Sequence, residues 1–165
     1  MMRIVVISDS HGRTNAIDNI LFSQPRAKHV FFLGDNVRDI EDFEFLYPDK
    51  NFYAVAGNCD YNMISPTKGI KELEGVKIFY THGHTLGVKS TKEHLLKTAK
   101  QNGCQIALYG HTHIADTVYE DGVYLVNPGS VSCPRSGSPS YAVIDIEKGG
   151  IMPIIIMGID SRNSG

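Results

Sequence analysis

Two aspartates, four histidines and an asparagine fall in five short polar motifs of this 165-residue chain: Asp9-Ser10-His11, Gly34-Asp35, Gly57-Asn58, His82 and Gly110-His111-Thr112-His113. Carboxylate, imidazole and amide are donors that hold divalent cations. Two such ions about 3.5 to 4 Å apart must share an oxygen ligand, which a carboxylate supplies. Neutral imidazoles fill the remaining positions without adding negative charge that would repel a phosphate. Residues of these types therefore suit a two-metal hydrolase acting on an anionic substrate.

For that chemistry the seven side chains have to meet in one small volume, and the residues before each motif supply the means. Ile4 to Ile7, Val30 to Leu33, Phe52 to Ala56, Val76 to Tyr80 and Ile106 to Tyr109 have the length and the β-branched or aromatic content of buried strands. Side chains just past a strand's end project into the crevice where open α/β sheets place ligands. Taken singly, Asp35 or Asn58 after a strand reads as a turn residue bonding to nearby backbone. Pairing Asp-x-His with Gly-His-x-His reverses that reading, because histidines on alternate residues can aim both rings at one ion.

These motifs, in this order and each at a strand end, resemble the calcineurin-like metallophosphoesterase superfamily over Asp9 to about Ser130. Gly57-Asn58-Cys59-Asp60, His82-Gly83-His84 and Asn127-Pro128-Gly129-Ser130 more closely resemble its small bacterial and archaeal phosphodiesterases of the YfcE type. The resemblance implies Asp9, His11 and His113 on a first metal, Asn58, His82 and His111 on a second, and Asp35 bridging them. It also implies a nucleophilic water or hydroxide between the ions, attacking phosphorus in line, with the Asn58 amide and the metals stabilising charge on the phosphate; Asp35 and Asn58 are then the catalytic residues. Manganese is the first expectation for both ions, with Ni, Zn, Fe or Mg as the others.

Many superfamily members carry His where this chain has Cys59, and that His is thought to protonate the leaving oxygen. A thiol near pKa 8.5 is a poorer donor at neutral pH than an imidazolium near 6.5. The substitution predicts a preference for leaving groups that need little protonation, such as aryl phosphodiesters; the plainer reading of Cys59 is a small buried hydrophobe beside the site. His84 either orients a ligand, contacts phosphate or is structural. Asn127 to Ser130 reads as turn chemistry supporting the site. Arg13, Arg38, Lys89 and Arg135 are candidate phosphate contacts, none favoured over solvent exposure.

A 165-residue chain with 42% hydrophobic residues fits one domain, expected over 1–160 with a flexible polar tail at 161–165. A net charge of −2 with both signs dispersed argues against a stable nucleic-acid complex. No stretch reaches membrane-spanning length and no signal peptide is read at the N-terminus. Cys59, Cys104 and Cys133 form neither a disulfide framework nor a zinc motif, which fits a reducing, cytoplasmic setting. The expected partner is a small-molecule or nucleotide-type phosphodiester; the oligomeric state, a homo-oligomer included, stays open.

Helices are predicted over Arg13 to Gln24, Asp39 to Tyr47 and Ser90 to Gln101, the last capped by Ser90 with Glu93 three residues on. Beyond Gly110 the pattern turns to strands: Thr117 to Glu120, an Asp121-Gly122 hairpin, Val123 to Val126, Tyr141 to Ile146 and Ile151 to Met157. The expected fold class is α/β, a metallophosphoesterase-like layered sandwich of two mixed β-sheets flanked by helices. The alternative function is a catalytically weak or inactive scaffold of the same fold, such as the small retromer subunit of this superfamily; an exposed apolar patch away from the site would favour it. A β-lactamase-like metallohydrolase would need Asp at position 86, which is Leu86.

Overall fold

The computed structural model describes residues 1–60, 65–148 and 150–158. The predicted tail lies outside these residues, as does Gly149 of the turn before the last strand. The first sheet has the order β10-β9-β1-β2-β3: β1 is Met2–Ile7, β2 Ala27–Phe32, β3 Asn51–Ala54, β9 Ser140–Glu147 and β10 Gly150–Met157. The second has the order β4-β5-β6-β8-β7, with β4 Lys68–Leu73, β5 Val76–Thr81, β6 Ile106–Leu108, β7 Asp116–Glu120 and β8 Val123–Asn127. Both are mixed. Within them β1-β2-β3 and β5-β6-β8 are parallel runs, and the remaining pairs are antiparallel.

Strand periodicity explains the layering. In β1, Ile4 and Val6 face the second sheet and join Phe31, Leu33, Ile78, Ile106, Leu108 and Val126 between the sheets. Val5 and Ile7 face the other way, against α1 (Thr14–Ser23) and α2 (Glu41–Leu46). Strands buried on both faces read as unbroken apolar runs, which is why these segments stand out in the sequence. α1 presents Ile17, Ile20 and Leu21 to the sheet, each fully buried and worth about 1.5 to 3 kcal/mol. On the second sheet's outer face, α3 (Glu93–Gln101) buries Leu95 and Ala99 against Phe79, Ala107 and Leu125.

Three local expectations are corrected. The stretch from Asp39 begins as a 3-10 turn, Val37–Ile40, before α2. α3 begins at Glu93 rather than Ser90, and it is Thr91 whose Oγ1 accepts the Glu93 N–H (3.2 Å). β4 is an additional strand, joined to β5 through a Glu74-Gly75 turn with φ of 51° and 78°, the left-handed pair of a tight hairpin. Among the described residues no helix is long and apolar enough to cross a membrane.

Candidate metal centre

The parallel runs of both sheets end on the same side of the sandwich, and the five motifs are the loops that leave them there. Gly34 and Gly57 make the close approach possible. Gly34 sits at φ 98° and a Cβ on it would lie 2.5 Å from the Gly57 nitrogen; a Cβ on Gly57 would collide with the Asp35 carboxylate and come within 2.9 Å of the His82 ring. The loops are also strained. Asp9, His11, Asp35, Asn36, His111 and His113 all have positive φ, whereas the other two such non-glycine residues described, Glu74 and Asp121, sit in hairpin turns. Each left-handed residue costs on the order of 1 kcal/mol, so the surrounding contacts must hold the loops in place.

The side chains form two adjoining groups that share Asp35: Asp9, His11, Asp35 and His113, and Asp35, His82 and His111. In each, the candidate ligand atoms lie within 4.8 Å of one another. Asn58 joins the second group, its Oδ1 lying 3.0 Å from His82 Nε2. The seven predicted ligand residues are thus brought together, and Asp35 occupies the shared position.

Fit for a cation rests on the donor set itself. The His82 Nδ1–H donates to the Leu33 carbonyl (2.7 Å), which leaves Nε2 as a lone pair facing Asn58 Oδ1, His111 Nδ1 (3.1 Å) and Asp35 Oδ2 (3.4 Å). The His113 Nδ1–H likewise donates to the Cys133 carbonyl (2.8 Å), aiming Nε2 at Asp9 Oδ1 (3.2 Å). Asp9 is fully buried, and its Oδ1 has no hydrogen-bond partner. A buried carboxylate oxygen without a donor costs several kcal/mol unless a cation answers it. Acceptors converging without donors between them are a cavity for positive charge.

Electrostatics differ across the site. Burial, the largest influence, would push the Asp9 carboxyl up, but attraction to His113 and His82 and the hydrogen bond its Oδ2 accepts from Ser8 outweigh it and hold it below the ordinary range. The Asp9 carboxylate, 3.2 Å from its Nε2, raises His113. Burial, then repulsion from His82 and Lys89, lowers His111 to about 4. Burial and His82 also lower His84, whose ring stands 5.4 Å from that of His82 and whose buried Nδ1 lacks a partner. Cys59 is exposed, not the buried hydrophobe of the plainer reading, although partial desolvation and then Asp35 raise its thiol.

Two residues escaped functional reading of the sequence. Asp60 accepts four backbone hydrogen bonds: Oδ2 from the Asp35 (2.8 Å) and Gly57 (2.8 Å) N–H groups, Oδ1 from those of Asn36 (2.7 Å) and Val37 (2.8 Å). It clasps the Asp35 loop to the Asn58 loop. Asp39 holds the first loop in the same way, accepting from Ser10 Oγ (2.6 Å) and the Gly12 N–H (2.8 Å). The Asn127 to Ser130 turn supports the site as expected: Asn127 Nδ2 donates to Thr112 Oγ1 (2.9 Å) and Ser130 Oγ to the Asp9 carbonyl (2.8 Å). In each case the signal is an Asp, Asn or Ser beside a ligand motif, indistinguishable in sequence from ordinary turn chemistry.

Comparison with known proteins agrees with this architecture. The calcineurin-like phosphoesterase superfamily domain matches residues 2–149, and the chain belongs to that family. Phosphodiesterase YfcE of Escherichia coli is 31% identical over 170 residues, covering 88% of this chain and 88% of the relative. A predicted phosphoesterase from Streptococcus pneumoniae, known as a crystal structure, superposes with a TM-score of 0.82 at 28% identity, over 94% of this chain and 89% of that one. Vps29 from Entamoeba histolytica superposes at 0.74 with 22% identity, over 94% and 99%, a likeness of fold.

Proposed function

We infer that this protein is a metal-dependent phosphodiesterase with a two-metal site. The reading places Asp9, His11 and His113 on one ion, Asn58, His82 and His111 on the other, and Asp35 between them. The observation that carries it is the convergence of lone pairs on a buried, unpartnered Asp9 oxygen. Bound there, two divalent cations supply a water acidic enough to ionise near neutral pH and positive charge to meet the phosphate.

The chain's own residues do the rest. The Leu33 and Cys133 carbonyls fix the tautomers and the aim of His82 and His113. Buried Asp9 and Asp35 define the floor, while exposed Asn58 stands at the rim, where its amide can donate to a phosphate oxygen as charge builds. Cys59 keeps its proton at neutral pH, so departure of the ester oxygen depends on its own stability as an anion, which favours aryl and other good leaving groups. The substrate is a small-molecule or nucleotide-type diester, and manganese is the first candidate metal.

The scaffold reading draws on a specific observation, the exposure of Phe22, Phe45 and Leu46 on the helical layer. It does not account for the complete ligand set. Initial rates on bis-p-nitrophenyl phosphate and p-nitrophenyl phosphate, with metal-stripped protein given Mn, Ni, Zn, Fe or Mg in turn, separate the two readings. Metal-dependent turnover with the diester ahead is expected. Folded protein inert with every metal would leave the scaffold.

A further inference from the structure

Beside the candidate centre His84 stands outside both ligand groups. Its ring lies 5.4 Å from that of His82 and 6.2 Å from that of His111, the two imidazoles that share Asp35. The backbone holds it there. His84–Leu86 is a single 3-10 turn, entered at Gly83 (φ 107°) and left at Gly87 (φ 64°), and the Leu86 N–H donates to the Gly83 carbonyl (3.0 Å). A Cβ on Gly83 would come within 2.7 Å of the Val88 side chain, so both the left-handed entry and the close packing require glycine. The Ser90 and Thr91 N–H groups then donate to the Gly87 carbonyl (2.9 and 3.1 Å), which fixes the exit from the turn.

The ring so carefully placed has no bond to make within the described fold. It does not orient His82, whose Nδ1 is already satisfied by the Leu33 carbonyl and whose Nε2 faces Asn58 and His111. Its own Nδ1 is buried and without a partner. Because a buried N–H lacking an acceptor is the costlier defect, the ring proton belongs on Nε2. His84 is only half-buried and Nδ1 is its buried edge, so Nε2, at the tip of the ring, is the nitrogen within reach of a ligand. The result is a rigidly held N–H donor next to the His82–His111 side of the centre. Such a donor answers an anionic oxygen without adding a charge that would compete with a cation.

We propose that His84 is a substrate contact, its Nε2–H donating to a non-bridging phosphate oxygen on the His82–His111 side; this rests on the phosphodiesterase reading and adds to it a residue that recognises the phosphate itself rather than either alcohol. The probe is inorganic phosphate, titrated by calorimetry into the Mn-loaded native chain, His84→Ala and His84→Gln, with Mn content measured on each sample. Glutamine keeps an N–H donor at a similar reach. The native chain binds phosphate, His84→Ala binds it at least about tenfold more weakly at unchanged Mn content, and His84→Gln recovers most of the loss. Nitrogen NMR of the metal-free native chain finds His84 as the Nε2–H tautomer. No phosphate binding by the Mn-loaded native chain, equal affinity in His84→Ala, the same loss in His84→Gln as in His84→Ala, Mn lost together with phosphate in both variants, or an Nδ1–H tautomer would each overturn the proposal. The tautomer is read without metal and the affinity without turnover. A native chain that binds phosphate through His84 yet cleaves no diester would therefore defeat the phosphodiesterase reading and leave this contact in place.

Discussion

On one side of the candidate centre Asp9 and Asp35 lie with His11 and His113; on the other, Asp35 is the lone carboxylate beside His82, His111 and the Asn58 amide. That difference in charge appears in the histidines. His113, beside the Asp9 carboxylate, is raised, whereas His111, half-buried next to His82 and near Lys89, is pushed down to about 4. The first half is predisposed to hold positive charge, and the second has only the Asp35 carboxylate that the two share. An enzyme that keeps one ion firmly and leaves the other partly open toward an anionic substrate has use for such an asymmetry.

The comparison depends on Asp60, which ties the Asp35 loop to the Asn58 loop. Asp60→Ala leaves four backbone N–H groups without their acceptor and is expected to cost about 3 kcal/mol or more in urea unfolding, with Asp60→Asn costing less. A loss under about 0.5 kcal/mol would mean that the loops hold themselves.

Cation affinity sharpens the contrast next. Calorimetric titration of metal-free protein with Mn should resolve two steps at least about tenfold apart, because the first half carries an extra carboxylate. His111→Ala should remove the weaker step and leave the stronger. Two equal sites would erase the distinction between the halves.

In metal-free protein the two imidazoles should also titrate apart. NMR should find His113 protonating above the ordinary value of 6.5 and His111 near 4. The stability consequences have opposite signs. His113 contributes stability below pH 6.5 that is lost as pH rises through its folded pKa. His111 contributes stability above 6.5 that is lost as pH falls from 6.5 toward about 4. Ring titrations that coincide would place both in one environment. The smallest effect is expected at Cys59→His, a few-fold gain in turnover concentrated on poor leaving groups; a gain independent of leaving-group pKa would remove the proton-donor argument.

Much of this architecture is legible in the sequence because strands buried on both faces leave unbroken apolar runs, and every ligand motif sits at the end of one. What escapes has physical reasons. β4 is an edge strand in which only Leu73 is buried, so Lys68, Gly69, Lys71 and Glu72 carry no apolar alternation. The 3-10 entry to α2 follows from Asp60 gathering the N–H groups of Asn36 and Val37, a contact across 23 and 24 residues that local propensity cannot express. Positive φ at Asp9, His11, Asp35, His111 and His113 is likewise imposed by partners distant in sequence. The motif order identifies the ligand candidates, while the clasp that holds them is visible only in three dimensions.

The most direct test of the shared-carboxylate centre is metal stoichiometry, measured by elemental analysis after equilibration with Mn, for the native chain and Asp35→Asn. The account predicts two ions per native chain and the loss of at least one in Asp35→Asn with the fold retained. One ion per native chain, or two in both proteins, would contradict it.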